Sequence, residues 1–176
     1  MSLIALLEQQ EEERLKDQET KLKDFQFRCL HSILNTKYLL KRKKVVDDDC
    51  CSFCKEEVET MDHLLFECPV SQTFWSDFQF FWKETTTITI HLTLKEVILG
   101  ISAESELLNH LVLLGKRYLF CSSKNSESPK FKRFLSLCKR IYMIEHESAK
   151  NKQRLDKFQK KWKSLELVLG AAESTG

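Results

Sequence analysis

Apolar positions recur at helical spacing along most of the chain and divide it into predicted helices. Residues 104–121 are apolar on nearly all sides, which is typical of a buried helix. A second helix is predicted after Pro69, a residue tolerated in the first turn. Its apolar positions are Val70, Phe74, Phe78 and Phe81, with Trp75 and Trp82 beside them. These two segments are the expected centre of the core.

Three further segments show a one-sided apolar pattern. Residues 24–34 are predicted to place Phe27, Leu30, Ile33 and Leu34 on a single helical face. Thr36 and Thr93 are predicted N-caps of two short helices, the second ending near Gly100. Near the C-terminus, one amphipathic helix begins at Phe131, and a last one carries Leu155, Phe158, Trp162 and Leu165 on one side.

Residues 3–23 read as a charged helix whose apolar stripe is interrupted between Leu7 and Leu15. A packed core helix would keep that stripe. We therefore expect a solvated arm, or a helix that forms against a protein partner.

The fold predicted from these elements is mostly α: a helical domain with an inserted turn-helix that carries a CCHC pattern of cysteines and histidine, and few or no strands. Only four Gly and two Pro occur, which disfavours a turn-rich β fold. The predicted organisation is an acidic helical arm (1–23), a helical core stapled by the CCHC insert (24–121), a linker (122–129), basic C-terminal helices packed on the core (130–169) and a disordered tail (170–176).

Charge is distributed unevenly along the chain, although the formal net charge is only +2. Residues 1–24 hold seven acids against four bases, whereas residues 130–163 hold twelve bases against three acids. No apolar run is long enough to cross a membrane, and no signal peptide is recognised, so we expect no membrane partner. Seven cysteines without a secretory signal favour a reducing intracellular compartment, nuclear or cytoplasmic.

Four metal-ligating side chains lie within eighteen residues, CSFCKEEVETMDHLLFEC. Two residues separate Cys51 from Cys54, and four separate His63 from Cys68, spacings that suit one tetrahedral zinc ion. Thr60 is a good N-cap for a short helix carrying His63, and Pro69 should end that helix at Cys68. Cys50 is an alternative to Cys51 as the first ligand.

Four Cys and His ligands close the coordination shell, so the predicted Zn²⁺ is structural and not catalytic. We expect chelation to unfold residues 50–82. Asp47, Asp48 and Asp49 lie in a polar linker and are interpreted as solvated charge. No nucleophile–base pair and no polymerase or endonuclease motif is recognised, and the chain is predicted not to be an enzyme.

The stretch CSFCKEEVETMDHLLFECPVSQTFW resembles the reverse-transcriptase-associated zinc-binding domain (zf-RVT type), found C-terminal to the polymerase in many LINE-type (non-LTR) retrotransposon proteins. The flanking segments extend the resemblance to roughly residues 24–165. The matching positions are Cys51, Cys54, Glu59, Thr60, His63, Leu64, Cys68, Pro69 and Trp75. The resemblance implies a region that helps a retrotransposon polymerase grip RNA and target DNA.

A basic helical tail supports nucleic-acid binding on physical grounds, because neutralising phosphates releases counterions. Phe158 and Trp162 are interpreted as core anchors of this tail. The candidate contacts are Lys150, Lys152, Arg154, Lys157, Lys160, Lys161 and Lys163, called here the C-terminal basic residues. The predicted function is a non-catalytic zinc-dependent module that binds RNA, DNA or both. The alternative is a zinc-stabilised protein-interaction scaffold whose partner binds residues 3–23.

Overall fold

A computed structural model describes residues 3–101 and 106–169, together with most of their side chains. This part of the chain forms eight α-helices and one π-helix, and no β-strand occurs in it, so the mostly α prediction is confirmed. The α-helices are α1 (Leu3–Leu30), α2 (Lys37–Arg42), α3 (Pro69–Thr86), α4 (Leu94–Leu99), α5 (Glu106–Lys124), α6 (Phe131–Asn151), α7 (Leu155–Trp162) and α8 (Glu166–Leu169). The predicted tail, 170–176, lies outside the described residues.

The core is built where α3, α5 and α6 pack against one another. Phe74 and Phe78 of α3 are buried, and the Phe74 ring meets that of Phe134 of α6 edge-on at 5.2 Å. Leu108 and Leu111 of α5 complete the same apolar cluster. Edge-to-face aromatic packing of this kind adds to the stability already gained from buried area.

The helices α3 and α5 approach one another closely at Gly115. A Cβ atom placed on Gly115 would lie 2.8 Å from Cη2 of Trp75, well inside van der Waals contact. Trp75 is 1% exposed and its ring is held by neighbours on both sides. Position 115 therefore favours glycine, because any side chain there would collide with the Trp75 ring.

The first helix presents a different face to the core from the one predicted. Leu22, Phe25 and Cys29 are buried at spacings of three and four, which defines a single helical stripe. By contrast, Phe27 and Leu30 are about half exposed, at 54% and 49%. The prediction for them was wrong because α1 extends well upstream of residue 24, and its buried stripe is set by the contacts of the whole helix.

Ile33 was also predicted to share that apolar face, but it is 46% exposed. The helix ends at Leu30, and Ser32 adopts a positive φ of 53° just beyond it. The N–H of Ile33 then donates to the carbonyl of Arg28, a bond that closes many helix ends. Of the four residues predicted to line the face, Leu34 alone is buried.

One continuous helix, α1, spans the predicted boundary between residues 23 and 24. Its second half packs on α5 and α6, and Gln18, Glu19 and Leu22 face those helices. Gln26 then links α1 to α4, because its side-chain amide donates to the carbonyl of Ile98 at 3.1 Å.

Lys116 is the most buried charged side chain of α5, with 2% of its surface exposed. Its ammonium group donates to the side-chain oxygen of Gln26 and, at 3.0 Å, to the carbonyl of Ile98. Burial lowers the pKa of Lys116 to about 8, although the neighbouring Cys29 thiol acts to raise it. This side chain fastens α1, α4 and α5 together at one point.

The two predicted threonine caps differ in the structure. Thr93 forms a complete capping box with Glu96 at the start of α4, and the helix stops at Gly100, whose φ is 98°. Thr36 occupies the N-cap position of α2, yet its side chain makes no capping bond. The first N–H of α2, that of Lys37, instead donates to the carboxylate of Glu59 at 2.9 Å.

The boundary between α5 and the linker that follows it lies further along the chain than the sequence indicates. α5 continues to Lys124, so Ser122 and Ser123 of the predicted 122–129 linker are helical and buried.

Phe158 and Trp162 are buried, as predicted. Glu145 of α6 fixes Trp162 by accepting a hydrogen bond from its indole N–H at 2.8 Å. No helix in the described ranges has the length and apolarity needed to span a bilayer.

Candidate metal centre

Four side chains from a metal-binding segment, residues 50–68, converge on one point. The ligand atoms of Cys51, Cys54, His63 and Cys68 all lie within 4.8 Å of one another. Cys51 and Cys68 are fully buried, and His63 is 7% exposed. The structure therefore brings together the four residues that the sequence pattern singled out.

The distances between these atoms match the requirements of a zinc ion. A tetrahedron with Zn–S bonds of about 2.3 Å holds two sulfur atoms roughly 3.8 Å apart, and a sulfur and a nitrogen roughly 3.5 Å apart. Cys51 Sγ and Cys68 Sγ are 3.8 Å apart, and Cys54 Sγ lies 3.4 Å from Nε2 of His63. These two separations agree with a tetrahedral zinc site, and the other ligand atoms lie within 4.8 Å of one another.

The first pair of ligands lies on a tight turn. The N–H of Lys55 donates to the carbonyl of Cys51 at 3.0 Å, and Lys55 itself has a φ of 64°. This reversal points backbone N–H groups at the sulfur atoms, and that of Phe53 lies 3.4 Å from Cys51 Sγ. Such donors stabilise thiolates, which are the forms that bind zinc.

The second pair depends on a π-helix, His63–Glu67, that the sequence did not reveal. Five residues apart on a straight α-helix, His63 and Cys68 would face directions differing by roughly 140°. In the structure, the N–H of Cys68 donates to the carbonyl of His63 at 2.8 Å, the i to i+5 bond of a π turn. The wider turn brings residues five apart onto one side.

Both ends of this short helical segment behave as the sequence predicted. The hydroxyl of Thr60 accepts a hydrogen bond from the N–H of His63 at 3.1 Å and so caps the helix. Cys68 is extended, with φ of −57° and ψ of 132°, as expected of a residue before proline. Pro69 then starts α3.

Two side chains of α3 satisfy the carbonyl groups that this helix end leaves unpaired. Ser71 Oγ donates to the carbonyl of Leu64 at 2.6 Å, and Trp75 Nε1 donates to that of Leu65 at 2.7 Å. Ser71 is fully buried. These two bonds connect the second ligand pair directly to the core, because Trp75 also packs on Phe78 and against Gly115.

Glu59 is the residue of this region whose role the sequence did not show. Its carboxylate is completely buried and accepts two backbone hydrogen bonds, from Ser52 at 2.8 Å and from Lys37 at 2.9 Å. The ammonium group of Lys124 lies 3.9 Å away. Glu59 thus joins the first ligand turn to the start of α2. The family resemblance includes Glu59 and not the exposed Glu56 and Glu57, but it does not predict that the Glu59 carboxylate is buried.

Without a bound ion, the pKa values of the Cys51 and Cys54 thiols are shifted in opposite directions. Burial, supported by the nearby Cys68, raises the pKa of Cys51 to about 12. Burial also acts on Cys54, but the backbone N–H groups of Glu57 and Glu56 and the His63 side chain outweigh it, lowering the pKa of Cys54 to about 6. Bound zinc would hold all three cysteines as thiolates, and its binding would release protons.

Cys50, the alternative first ligand, is not part of the cluster. Its backbone N–H donates to the side chain of Asp48 at 3.0 Å, and residue 50 pairs with Val58 in an isolated antiparallel bridge. That bridge turns successive side chains to opposite sides, so Cys51 points inward and Cys50 does not. All seven cysteines are free of disulfide bonds.

A family comparison bears on the nature of this site. The family described as zinc-binding in reverse transcriptase matches residues 14–75, a range that includes all four ligands and ends at Trp75. This segment is a reverse-transcriptase-type zinc-binding domain. Comparisons with curated proteins and with solved structures found no match.

The reverse-transcriptase-type zinc-binding domain explains several features together. The match begins inside α1, so the family unit includes the second half of that helix, α2, the metal-binding segment and the first turns of α3. The donor set of three thiols and one imidazole, together with the family, identifies the cofactor as Zn²⁺. With four protein ligands, the ion holds this segment in shape and has no open position for a substrate.

The C-terminal basic residues lie outside the zinc-binding domain, on α6, α7 and the turns after them. Six of the seven side chains are exposed. Lys161 differs, since it is only partly exposed and its ammonium group bonds both carboxylate oxygens of Glu145, at 2.8 and 3.0 Å. Lys152, Arg154, Lys157 and Lys161 line a cavity of about 450 Å³.

Proposed function

We propose that this protein is a non-catalytic, zinc-dependent nucleic-acid-binding module derived from the C-terminal region of a non-LTR retrotransposon reverse transcriptase. The observation that carries the proposal is the exposure of six of the C-terminal basic residues, while Phe158 and Trp162 of the same segment are buried. The aromatics anchor the segment, which leaves the cations as its outer surface. RNA and DNA both present the phosphates that such a surface attracts.

Zinc has an indirect role in this proposal. The π-helix of the metal-binding segment contacts α3, α4 and α5. The ion therefore stabilises the platform on which α6 and α7 pack. The cysteine-rich composition also favours an intracellular location, nuclear or cytoplasmic.

The test is a titration of the zinc-loaded chain with labelled single-stranded RNA and duplex DNA at several salt concentrations. A triple variant, Lys157→Glu with Lys160→Glu and Lys163→Glu, removes exposed cations. Lys161 is kept because it holds Glu145. The control exchanges Lys83, Lys95 and Lys132, exposed on α3, α4 and α6, for Glu.

We expect wild-type affinity to fall steeply with salt, with a contribution of about 0.7–0.9 to the logarithmic slope per neutralised phosphate. The triple variant should lose most of its affinity and about two units of slope, and the control should lose far less. Absence of binding by the folded, metal-loaded chain at low salt would contradict the proposal.

A protein-interaction scaffold is the second candidate, and one observation favours it. Phe27, Leu30 and Ile33 are each about half exposed near the end of α1. Exposed apolar side chains grouped in this way are found at protein-binding surfaces. Salt-insensitive self-association, abolished by exchanging Phe27 and Leu30 for Ser, would support this function and not the first.

A further inference from the structure

A cavity of about 450 Å³ lies between α1, α5, α6 and α7. Its volume falls within the range of small-molecule sites, which spans about 300–1,000 Å³. Gln18 and Glu19 of α1 form one side, and α5 contributes Glu106 and His110. The opposite side carries Arg154 and Lys157, two of the C-terminal basic residues.

Two of the acids around this cavity are already neutralised by other groups. Both oxygens of Glu145 bind the ammonium group of Lys161, and one of them also accepts the indole N–H of Trp162. Glu19 pairs with Lys23 at 2.8 Å one turn along α1. These acids therefore contribute little net negative charge to a ligand in the cavity.

Arg154 and Lys157 differ from these acids in having no ion-pair partner among the described residues. His110 adds no charge at neutral pH, because burial, aided by the nearby Lys161, lowers its pKa to about 4. Glu106 of α5 also lines the cavity and offsets one of these charges, so the balance left by Arg154 and Lys157 is positive.

We propose that this cavity is a binding site for a single nucleotide unit, held through its phosphate by Arg154 and Lys157. The planar guanidinium of Arg154 suits two phosphate oxygens at once, and Lys157 adds a point charge. Phe158 of α7 and Leu22 of α1 supply apolar surface in the cavity for the remainder of the unit. The inference rests on the proposed function and assigns a distinct subsite within the basic surface.

Trp162 provides a direct readout of this site. Its indole N–H bonds Glu145, a residue that lines the cavity, and the chain has only three tryptophans. The experiment is a titration of the zinc-loaded full chain with adenosine monophosphate and uridine monophosphate, followed by the three indole N–H signals in NMR. Adenosine and uridine, which lack the phosphate, serve as ligand controls.

We expect the nucleotides to shift one indole signal in a saturable manner, and the nucleosides to leave it unchanged. Arg154→Gln and Lys157→Gln should each weaken nucleotide binding at least tenfold. The matched control, Lys132→Gln, removes an exposed cation of α6 far from this lining and should bind as wild type does. No shift with nucleotides, or equal binding by Arg154→Gln and wild type, would overturn the inference.

Two sources could supply such a nucleotide, and a competition assay separates them. If the unit is the end of a strand, a 5′-phosphorylated single-stranded oligonucleotide should bind more tightly than its 5′-hydroxyl form, and adenosine monophosphate should compete with it. If the ligand is a free nucleotide, the two oligonucleotides should bind alike without competition. Together with the saturable nucleotide shift, either result supports a nucleotide site and identifies its source. A chain that binds RNA but shows no nucleotide shift would overturn this inference alone, whereas absence of RNA binding contradicts the proposed function.

Discussion

The carboxylate of Glu59 accepts a hydrogen bond of 2.8 Å from the backbone N–H of Ser52, which lies between the ligands Cys51 and Cys54. The second oxygen of the same group accepts the first N–H of α2. One buried side chain therefore holds the metal-binding turn and the neighbouring helix in fixed positions. Zinc-binding sites depend on such outer partners to orient their ligands.

Glu59→Gln should weaken this connection. An amide has one acceptor oxygen in place of two, so one of the two backbone N–H groups would face a donor and lose its bond. We expect a loss of about 1.5–3 kcal/mol in the free energy of unfolding, the range for hydrogen bonds to charged groups. Urea denaturation of the zinc-loaded protein measures it.

Glu56→Gln is the matched control for this prediction, because Glu56 is exposed in the same turn. It should change stability by less than about 0.5 kcal/mol. Equal stability of the Glu59 variant and wild type would show that the buried carboxylate makes no net contribution.

The position of the first ligand gives a second prediction. Cys51→Ser should abolish tight zinc binding, whereas Cys50→Ser should leave it unchanged, because the thiol of Cys51 is the one within the cluster. A competition titration with a chromophoric chelator measures both affinities. Tight binding by the Cys51 variant, lost on further exchange of Cys50, would show that the two residues replace one another.

Removal of zinc should unfold the metal-binding segment first. Structural zinc contributes on the order of 10–16 kcal/mol of apparent binding free energy in small domains, and all four ligands belong to this segment. Hydrogen exchange after chelation should show lost protection in residues 50–68. The sequence predicted unfolding as far as residue 82, but Phe74 and Phe78 of α3 pack on the core and should retain part of their protection. Unchanged exchange in residues 50–68 would contradict a stabilising role for the ion.

Gly115→Ala should destabilise the protein although alanine favours helices. The new methyl group would meet the Trp75 ring, which is buried and hydrogen-bonded and so cannot move freely. Overpacking costs about 1–3 kcal/mol, and the helix preference of alanine returns about 1 kcal/mol. The balance of these figures is a net loss of up to about 2 kcal/mol in urea denaturation. Ser76→Ala on the exposed side of α3 is the control, and a stabilised Gly115 variant would contradict the close packing.

Lys116 should make stability depend on alkaline pH. Its pKa is about 8 in the folded protein and about 10.4 in an unfolded chain. Between these values the unfolded chain binds the proton that the folded chain has lost, so this group makes stability rise with pH. In wild type, this group should raise the free energy of unfolding by up to about 3 kcal/mol between about pH 8 and pH 10.4. Lys116→Met should show no such increase, because methionine does not titrate.

The pH dependence of wild-type stability must be compared with that of Lys116→Met, because buried cysteine thiols also change stability at alkaline pH. Burial raises the pKa of Cys29 to about 11 and that of Cys138 to about 12, which makes stability fall as pH rises. The difference between wild type and Lys116→Met cancels these contributions wherever they are shared. A difference that stays constant from pH 8 to 10.5 would show that Lys116 keeps its ordinary pKa.

Local patterns predicted the parts of the fold that depend on neighbouring residues. The helices around Phe74 and Leu111 follow from apolar spacing, and Thr60, Thr93 and Pro69 set helix ends through bonds or ring geometry within a few residues. The buried face of α1 could not be read in this way, because Phe25 and Phe27 are equally apolar. Which of them is buried depends on where α5 and α6 lie.

The sequence by itself determined that the protein is helical and that Cys51, Cys54, His63 and Cys68 form a zinc site, since periodicity and ligand spacing are local properties of the chain. The tertiary structure alone decided the π turn that aligns His63 with Cys68, the burial of Glu59, and the grouping of Arg154 and Lys157 beside α1. Ser71 and Trp75 of α3 bond the carbonyls of the π turn, and the other two features depend on contacts between segments far apart in sequence. Their free energy comes from packing that no local pattern encodes.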